Sequence, residues 1–283
     1  MKLSEIIVSG KERLKSAGLQ CADPQLHMIQ IAAAALGVTP TGIYRKWEDE
    51  IGETQTQIET ILKRRLTGEP FQYIVGHEDF WESTFAVGPG VLIPRRETEC
   101  LVEFVLQHLP HSPQSIAELG AGSGNIGISV MLERPDWTWH AYELSPEALP
   151  YLRENAQTLL PTKEDRYQIH TGDFFTLTAN TQFDALISNP PYVSHDQLPL
   201  LSKEVRHEPV LALDGGGRGM DVIQRLMSHG KKLVRPGGFI ILEIGYDQEE
   251  LARRCLSEHG WTQVECRKDY ADLPRVLSGR RPN

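Results

Sequence analysis

The run Asn189-Pro190-Pro191-Tyr192 has the residue types to hold a planar nitrogen. It follows the apolar stretch Phe183-Asp184-Ala185-Leu186-Ile187-Ser188, which reads as a buried strand. Two prolines cannot donate ladder hydrogen bonds, so the strand must stop there. Their fixed φ makes the Asn189 side chain and the Pro190 carbonyl rigid acceptors at a cleft. An Asn-Pro pair alone would read as a stiff turn; the complete tetrapeptide at a strand end points to chemistry. An amide or aniline-like nitrogen is a poor nucleophile because its lone pair is delocalised. The two acceptors could each take one of its N–H bonds and aim the developing lone pair at a sulfonium methyl. Tyr192 would pack on the flat group and fix its plane. Such positioning is worth up to about 7–11 kcal/mol, and acceptors aimed at growing positive charge add an electrostatic contribution. No titratable base is required within the motif, since the proton can leave to water.

The second chemical feature is Glu118-Leu119-Gly120-Ala121-Gly122-Ser123-Gly124, which leaves one strand and enters a helix. Glycines at alternate positions permit positive φ and let a ligand approach the backbone, so a nucleotide-like group is expected at the carboxyl edge of the sheet. Two ligands remain open on these residues. Gly122-x-Gly124-x-x-Gly127 with Glu143 placed 21 residues after Gly122 matches the dinucleotide fingerprint. S-adenosylmethionine is favoured by Glu118, an acid that suits a cationic amino-acid moiety and would repel a nearby pyrophosphate. The Asn189 tetrapeptide favours it too, having no place in hydride transfer. Glu143 would then hold the ribose hydroxyls, since a carboxylate accepts several hydrogen bonds. Phe174 would pack on the adenine and Asp173 would border its amine.

These groups need an α/β scaffold. Strands are expected near Ser115–Leu119, Thr138–Glu143, Tyr167–Thr171, Phe183–Ser188, Phe239–Ile244 and Thr262–Arg267, separated by helical patterns such as Glu97–Leu109. That alternation implies a mostly parallel sheet covered on both faces. Residues 1–75 read instead as helices: Ile58, Ile61, Leu62 and Leu66 keep helical spacing, and Asp23-Pro24 is a helix start. Between them, residues 76–94 hold β-formers punctuated by glycine and proline, a β-hairpin linker. The expected organisation is therefore 1–75 helical, 76–94 linker and 95–283 Rossmann-like.

Bulk properties narrow the field. The 283 residues carry a formal charge of −9, unsuited to broad phosphate neutralisation, so no direct nucleic-acid contact is expected. Cys21, Cys100, Cys255 and Cys266 form no C-x-x-C pair, as suits a reducing compartment. The first residues lack the apolar core of a signal peptide, and the longest apolar stretch, 28–36, is too short to span a bilayer. A cytoplasmic monomer without membrane contact is the expectation. His108 and His111 have no carboxylates or cysteines beside them in sequence, so no metal is expected.

Taken with Glu69-Pro70-Phe71-Gln72-Tyr73-Ile74-x-Gly76, Leu92-Ile93-Pro94-Arg95-x-Glu97-Thr98-Glu99, Val205-Arg206-x-Glu208-Pro209, Asp214-Gly215-Gly216 and Asp269-Tyr270-x-Asp272-x-x-Arg275-Val276, the chain resembles the release-factor glutamine methyltransferases, the PrmC/HemK family. The resemblance spans nearly the whole chain. It implies a seven-stranded methyltransferase sheet, a closing hairpin and an N-terminal domain that docks the substrate. The implied reaction moves a methyl group from S-adenosylmethionine to the glutamine amide nitrogen in the Gly-Gly-Gln tripeptide of peptide-chain release factors. Carried over by motif, Gly120, Ala121, Gly122, Ser123, Gly124, Glu143, Phe174 and Asn189 would contact the cofactor. Asn189, Pro190, Pro191 and Tyr192 would hold the glutamine. Glu118 stands where Asp is common, Arg96 where Pro is frequent and His207 where Phe is usual, which bears on the pocket rim. A glutamine methyltransferase of a ribosomal protein and an adenine-amino DNA methyltransferase share the tetrapeptide. The first should differ around Ile-Pro-Arg-Arg-Glu-Thr-Glu, and the second should add a basic recognition domain.

Overall fold

A computed structural model describes residues 1–19, 21–162, 165–178 and 182–283. The chain divides into two compact units, Met1–Gly76 with Leu201–His207, and His77–Leu200 with Glu208–Asn283.

The first unit is helical. Helices α1 (Leu3–Ser16), α2 (Pro24–Leu36), α3 (Thr54–Leu66) and the short α4 (Phe71–Val75) are joined by a 3-10 turn over Pro40–Lys46. Asp23 caps α2 by accepting from the Gln25 and Leu26 N–H groups, and Gly37 ends it at φ 63°. Leu3, Ile7, Leu14, Met28, Ile58 and Leu62 form its buried core, each contributing about 1.5–3 kcal/mol by burial. Arg13 grips Glu59 with two hydrogen bonds of 2.7 and 2.9 Å, tying α1 to α3. The buried Arg65 donates to His27 and to Glu204, which holds Leu201–His207 within this unit. No single helix among the described residues is long and apolar enough to cross a membrane.

In the second unit a hairpin comes first, β1 (His77–Phe80) and β2 (Ser83–Ala86). Phe80 and Phe85 enter the main core, so the hairpin is packed into this unit. Then follow α5 (Glu99–His108), β3 (Ser115–Leu119), α6 (Asn125–Glu133), β4 (Thr138–Glu143), α7 (Leu149–Leu159), β5 (Tyr167–Thr171) and β6 (Phe183–Ser188). The chain continues through α8 (Val210–Leu213), α9 (Asp221–Leu233), β7 (Val234–Glu243), α10 (Glu249–Glu258), β8 (Thr262–Lys268) and β9 (Pro274–Arg280). Asn155 on α7 clamps Ala86 from both sides of its peptide and also reaches the Ser123 carbonyl.

Seven strands form one sheet in the order β5-β4-β3-β6-β7-β9-β8. The pairs among β5, β4, β3, β6 and β7 are parallel, whereas β9 runs antiparallel to both β7 and β8. Successive residues of β6 serve opposite faces: Ala185 and Ile187 join the cluster with α5, α6 and α7, and Leu186 joins the one with α9 and α10. The expected doubly covered α/β sheet is present. Its strand order reverses at β3, between β4 and β6, and the crevice beside the carboxyl ends of these strands is the natural ligand position.

Candidate active site

A cavity of about 270 Å³ opens at that crevice. The loop after β3 supplies Gly120, Ala121, Gly122 and Ser123, the end of β4 supplies Tyr142 and Glu143, and the turn after β5 supplies Asp173, Phe174 and Phe175. Asn189 and Pro191 enter from the end of β6, and Arg95 and Thr98 from the turn before α5.

The glycine loop owes its shape to Glu143. One carboxylate oxygen accepts from the Gly122 N–H and the other from the Ser145 N–H, each at 2.7 Å. The 21-residue spacing read in the sequence is therefore a direct contact across β3 and β4. Gly120 and Gly122 adopt φ of 67° and 57°, which a side chain would strain. Gly124 differs. It also has positive φ, but a Cβ there would lie 2.7 Å from Ile128 and 2.8 Å from Leu152. It faces the packing between helices and does not line the cavity. Gly127 plays a similar part beneath Trp139 and Glu118.

Glu118 corrects the sequence reading. Its side chain is fully buried, accepts from the Trp139 indole at 2.7 Å and is absent from the cavity lining. Strand alternation turns it under the sheet toward Trp139, away from the cavity. Burial, with the nearby Glu143 charge adding to it, raises its pKa to about 8. Burial therefore favours the neutral acid, and the side chain does not reach the cavity. One of its oxygens has no hydrogen-bond partner among the described residues.

Phe174 lines the cavity but is only 1% exposed, locked edge-to-face against Tyr142. Its neighbour Phe175 lies under the Arg225 guanidinium at 3.8 Å, and both line the same space. Neither Phe175 nor Arg225 stood out in the sequence. Asp173 caps the turn through the Phe175 N–H.

The tetrapeptide is split by the fold. Asn189 and Pro191 face the cavity, whereas Pro190 is buried and Tyr192 lies outside the lining. The Tyr192 carbonyl accepts from Gln248 at 3.1 Å. Its Cα sits so close to Gly215 that a Cβ there would approach to 2.7 Å, and its oxygen leaves no more room beside Gly219. Val193 then bridges to Asp214. This close backbone approach accounts for the glycines after Asp214. Burial drives the Tyr192 phenol well above its ordinary pKa, and the Glu243 charge adds to it.

Asn189 donates from Nδ2 to the Thr98 hydroxyl at 3.2 Å. Among the described residues no donor engages its Oδ1, which is left as an acceptor. Two motifs distant in sequence also meet at the rim. Glu208 accepts from the Ile93 N–H at 3.1 Å and pairs with Arg95, so Glu208 braces the segment that carries Ile93 and Arg95. Arg96 and His207 are exposed and do not line the cavity, and His207 packs its Nδ1 on the Lys203 carbonyl.

Curated relatives match the chain over nearly its full length. A protein of Moorella thermoacetica is 36% identical over 284 residues, covering 99% of both chains, and one of Caulobacter vibrioides is 36% identical over 274 residues, covering 96% and 93%. Both are named release factor glutamine methyltransferase. The chain belongs to that family. Family models described as the methyltransferase small domain and the PrmC N-terminal domain match residues 96–236 and 5–76. A methyltransferase from Pyrococcus furiosus shares the fold at 16% identity with a TM-score of 0.51, covering 70% of this chain and 89% of its own. Members of the release factor glutamine methyltransferase family use S-adenosylmethionine, and this cavity fits it. Gly120 and Gly122 form an open cradle, Glu143 keeps unused lone pairs beside it, and Leu144, Ile126 and Phe175 supply apolar wall.

Proposed function

We propose that this chain methylates the side-chain amide nitrogen of the glutamine in the Gly-Gly-Gln tripeptide of peptide-chain release factors. The observation that carries this reading is the placement of Asn189. Its amide stands in the wall of the cavity that also contains the Gly120–Ser123 loop and Glu143, with Nδ2 occupied and Oδ1 available. An acceptor there suits the N–H of a carboxamide. Bound S-adenosylmethionine supplies an electrophilic sulfonium methyl; the new bond is carbon–nitrogen, sulfur keeps the pair from the broken carbon–sulfur bond, and the nitrogen releases a proton to water.

Within this reading the chain's own residues orient and shield. Asn189 Oδ1 takes an amide N–H and Pro191 walls the approach, while Pro190 and Tyr192, outside the lining, fix the strand end that carries them. Glu143 fixes both the glycine loop and the ribose. Gly120, Ala121, Gly122, Ser123 and Phe174 shape the cofactor site, and Gly124 acts through packing. The buried core of the helical unit and its exposed Val8, Leu26 and Tyr44 support docking of the release factor by residues 1–75. We take the enzyme to act as a cytoplasmic monomer on protein alone.

Mass spectrometry of a purified release factor incubated with this protein and S-adenosylmethionine tests the reading. The expected result is one added methylene on the Gly-Gly-Gln peptide and on no other. Modification of a ribosomal protein or of adenine in DNA, with the release factor untouched, would overturn it.

A further inference from the structure

We propose that Gln248, which lies outside the cavity, is a positioning residue for methyl transfer: it holds residues 189–192 in register with the facing wall formed by residues 209–214. The inference rests on the reading of Asn189 as an acceptor for the substrate amide.

The motif at the end of β6 needs an outside support. Pairing between β6 and β7 runs to Ser188 opposite Leu242, and the two prolines that follow have no N–H with which to continue it. The Tyr192 carbonyl is gripped instead, and the grip comes from Gln248 at the start of α10, a side chain in a residue only 7% exposed. Its Oε1 accepts from the Gly245 N–H at 2.9 Å, and its Nε2 donates to the Tyr192 and Gly219 carbonyls at 3.1 Å each. One amide thus joins three loops, those after β7, after β6 and before α9. Both N–H bonds and the oxygen are used, which fixes the direction of the amide. Turned over, it would set its oxygen against two carbonyls and its NH₂ against the Gly245 N–H.

The bond to Tyr192 and the bond to Gly219 hold two walls of one cavity. Gly219, at φ 69°, lies so near Tyr192 that a Cβ would collide with the Tyr192 oxygen and approach Gln248 Nε2 to 2.7 Å. The Val193 N–H donates to the Leu213 carbonyl at 2.9 Å, and the Gly215 N–H returns to the Val193 carbonyl at 2.8 Å. The motif and the segment before α9 therefore run side by side. Asn189 and Pro191 line the cavity from the first, and Pro209, Leu211, Ala212 and Asp214 from the second, whereas Gln248 does not line it. The cofactor side is fixed separately, by the Glu143 carboxylate on Gly122 and Ser145. A carboxamide seated between the two walls takes its place from their spacing, and a misplacement of about 1 Å can cost about a hundredfold in rate.

Single-turnover methylation of a release factor, with cofactor affinity and stoichiometry from calorimetry, supplies the test. Gln248→Met keeps the length and loses all three bonds. Its rate per cofactor-binding site, at saturating release factor, should fall at least about tenfold. Cofactor affinity and the KM for the release factor should stay within about twofold of the parent. Gln248→Glu should also be slower at unchanged cofactor affinity, since even a protonated acid has one hydrogen for two carbonyls. In an Asn189→Ala background, Gln248→Met should cost less than about threefold, because the group it positions is gone. A Gln248→Met rate within about twofold of the parent would overturn the assignment. So would cofactor affinity lost in step with the rate, or an undiminished effect in Asn189→Ala, since either would make Gln248 a general prop of the unit. A parent protein that binds cofactor but methylates no release factor would overturn the functional reading beneath it instead.

Discussion

Replacing Glu143 with glutamine preserves size and shape, yet the structure predicts a large loss of cofactor affinity. The two carboxylate oxygens accept from Gly122 and Ser145 at 2.7 Å each. A glutamine offers one oxygen and one NH₂ group. Whichever way it turns, one backbone N–H meets another donor. If the oxygen stays with Ser145, the repulsion falls on Gly122, whose φ of 57° defines the cradle. If it stays with Gly122, the turn into α7 loosens. An unpaired buried donor costs about 1–3 kcal/mol, and a charge-assisted hydrogen bond is worth about 1.5–3 kcal/mol. These losses overlap, because the same carboxylate organises the loop and receives the ribose. A net loss of about 1.5–3 kcal/mol is expected, or roughly tenfold to a hundredfold in affinity. Glu143→Ala should lose a similar amount, since the space it leaves admits water to the freed N–H groups. Titration calorimetry with S-adenosylmethionine and with S-adenosylhomocysteine measures both variants. Glu143→Gln binding within about twofold of the parent would refute the reasoning, because the geometry offers no way for the amide to satisfy both donors.

Three other outcomes are expected. Asn189→Ala should lower kcat at least about a hundredfold, the scale of one preorganised catalytic hydrogen bond, with cofactor affinity far less affected; single-turnover kinetics with calorimetry would expose a variant of normal chemistry. A chain beginning at Gly76 should keep its cofactor affinity but methylate the intact release factor much more slowly, and full activity on the whole factor would exclude docking by residues 1–75. Glu118 should make the protein less stable as pH rises: its folded pKa of about 8 lies above the ordinary 4.5, so the folded state holds a proton that the unfolded state releases. The stabilisation is complete below about pH 4.5 and declines by roughly 1.4 kcal/mol per pH unit up to about 8; Glu118→Gln should flatten that slope in urea unfolding, and parallel slopes in the two proteins would count against a buried neutral acid.

The sheet was legible in the sequence because its strands obey two strong rules at once. Ser115–Leu119, Thr138–Glu143, Tyr167–Thr171 and Phe183–Ser188 are short runs rich in β-forming residues, each closed by glycine, proline or an acid, and the structure has strands with those bounds. Val234–Arg235 and Pro236–Gly238 at the start of β7 were hidden, because proline and glycine read as a turn when the neighbouring strand is unknown. The attachment of Leu201–His207 to the helical unit was hidden for a related reason. It depends on Arg65 meeting Glu204 across 139 residues, and no local pattern records that. The glycine loop with Glu143 could be found because a repeated spacing stands in for a contact between adjacent strands.

Direction, rather than residue type, is what the sequence withheld at the site. Glu118 and Glu143 are both acids at strand ends, but one is turned under the sheet and the other toward the cleft, and desolvation then leaves the first neutral while two N–H groups engage the second. Gly122 and Gly124 are both left-handed, but only Gly122 opens onto the cavity. The same holds within a single residue. Asn189 announces itself through its prolines, yet the usefulness of its amide depends on which end points outward. Thr98, 91 residues earlier, receives that amide from Nδ2 at 3.2 Å. Thr98 is an ordinary residue type in an ordinary place, so it carries no signal by itself. The polarity of the site belongs to the pair, and it exists only once the end of β6 and the turn before α5 have come together.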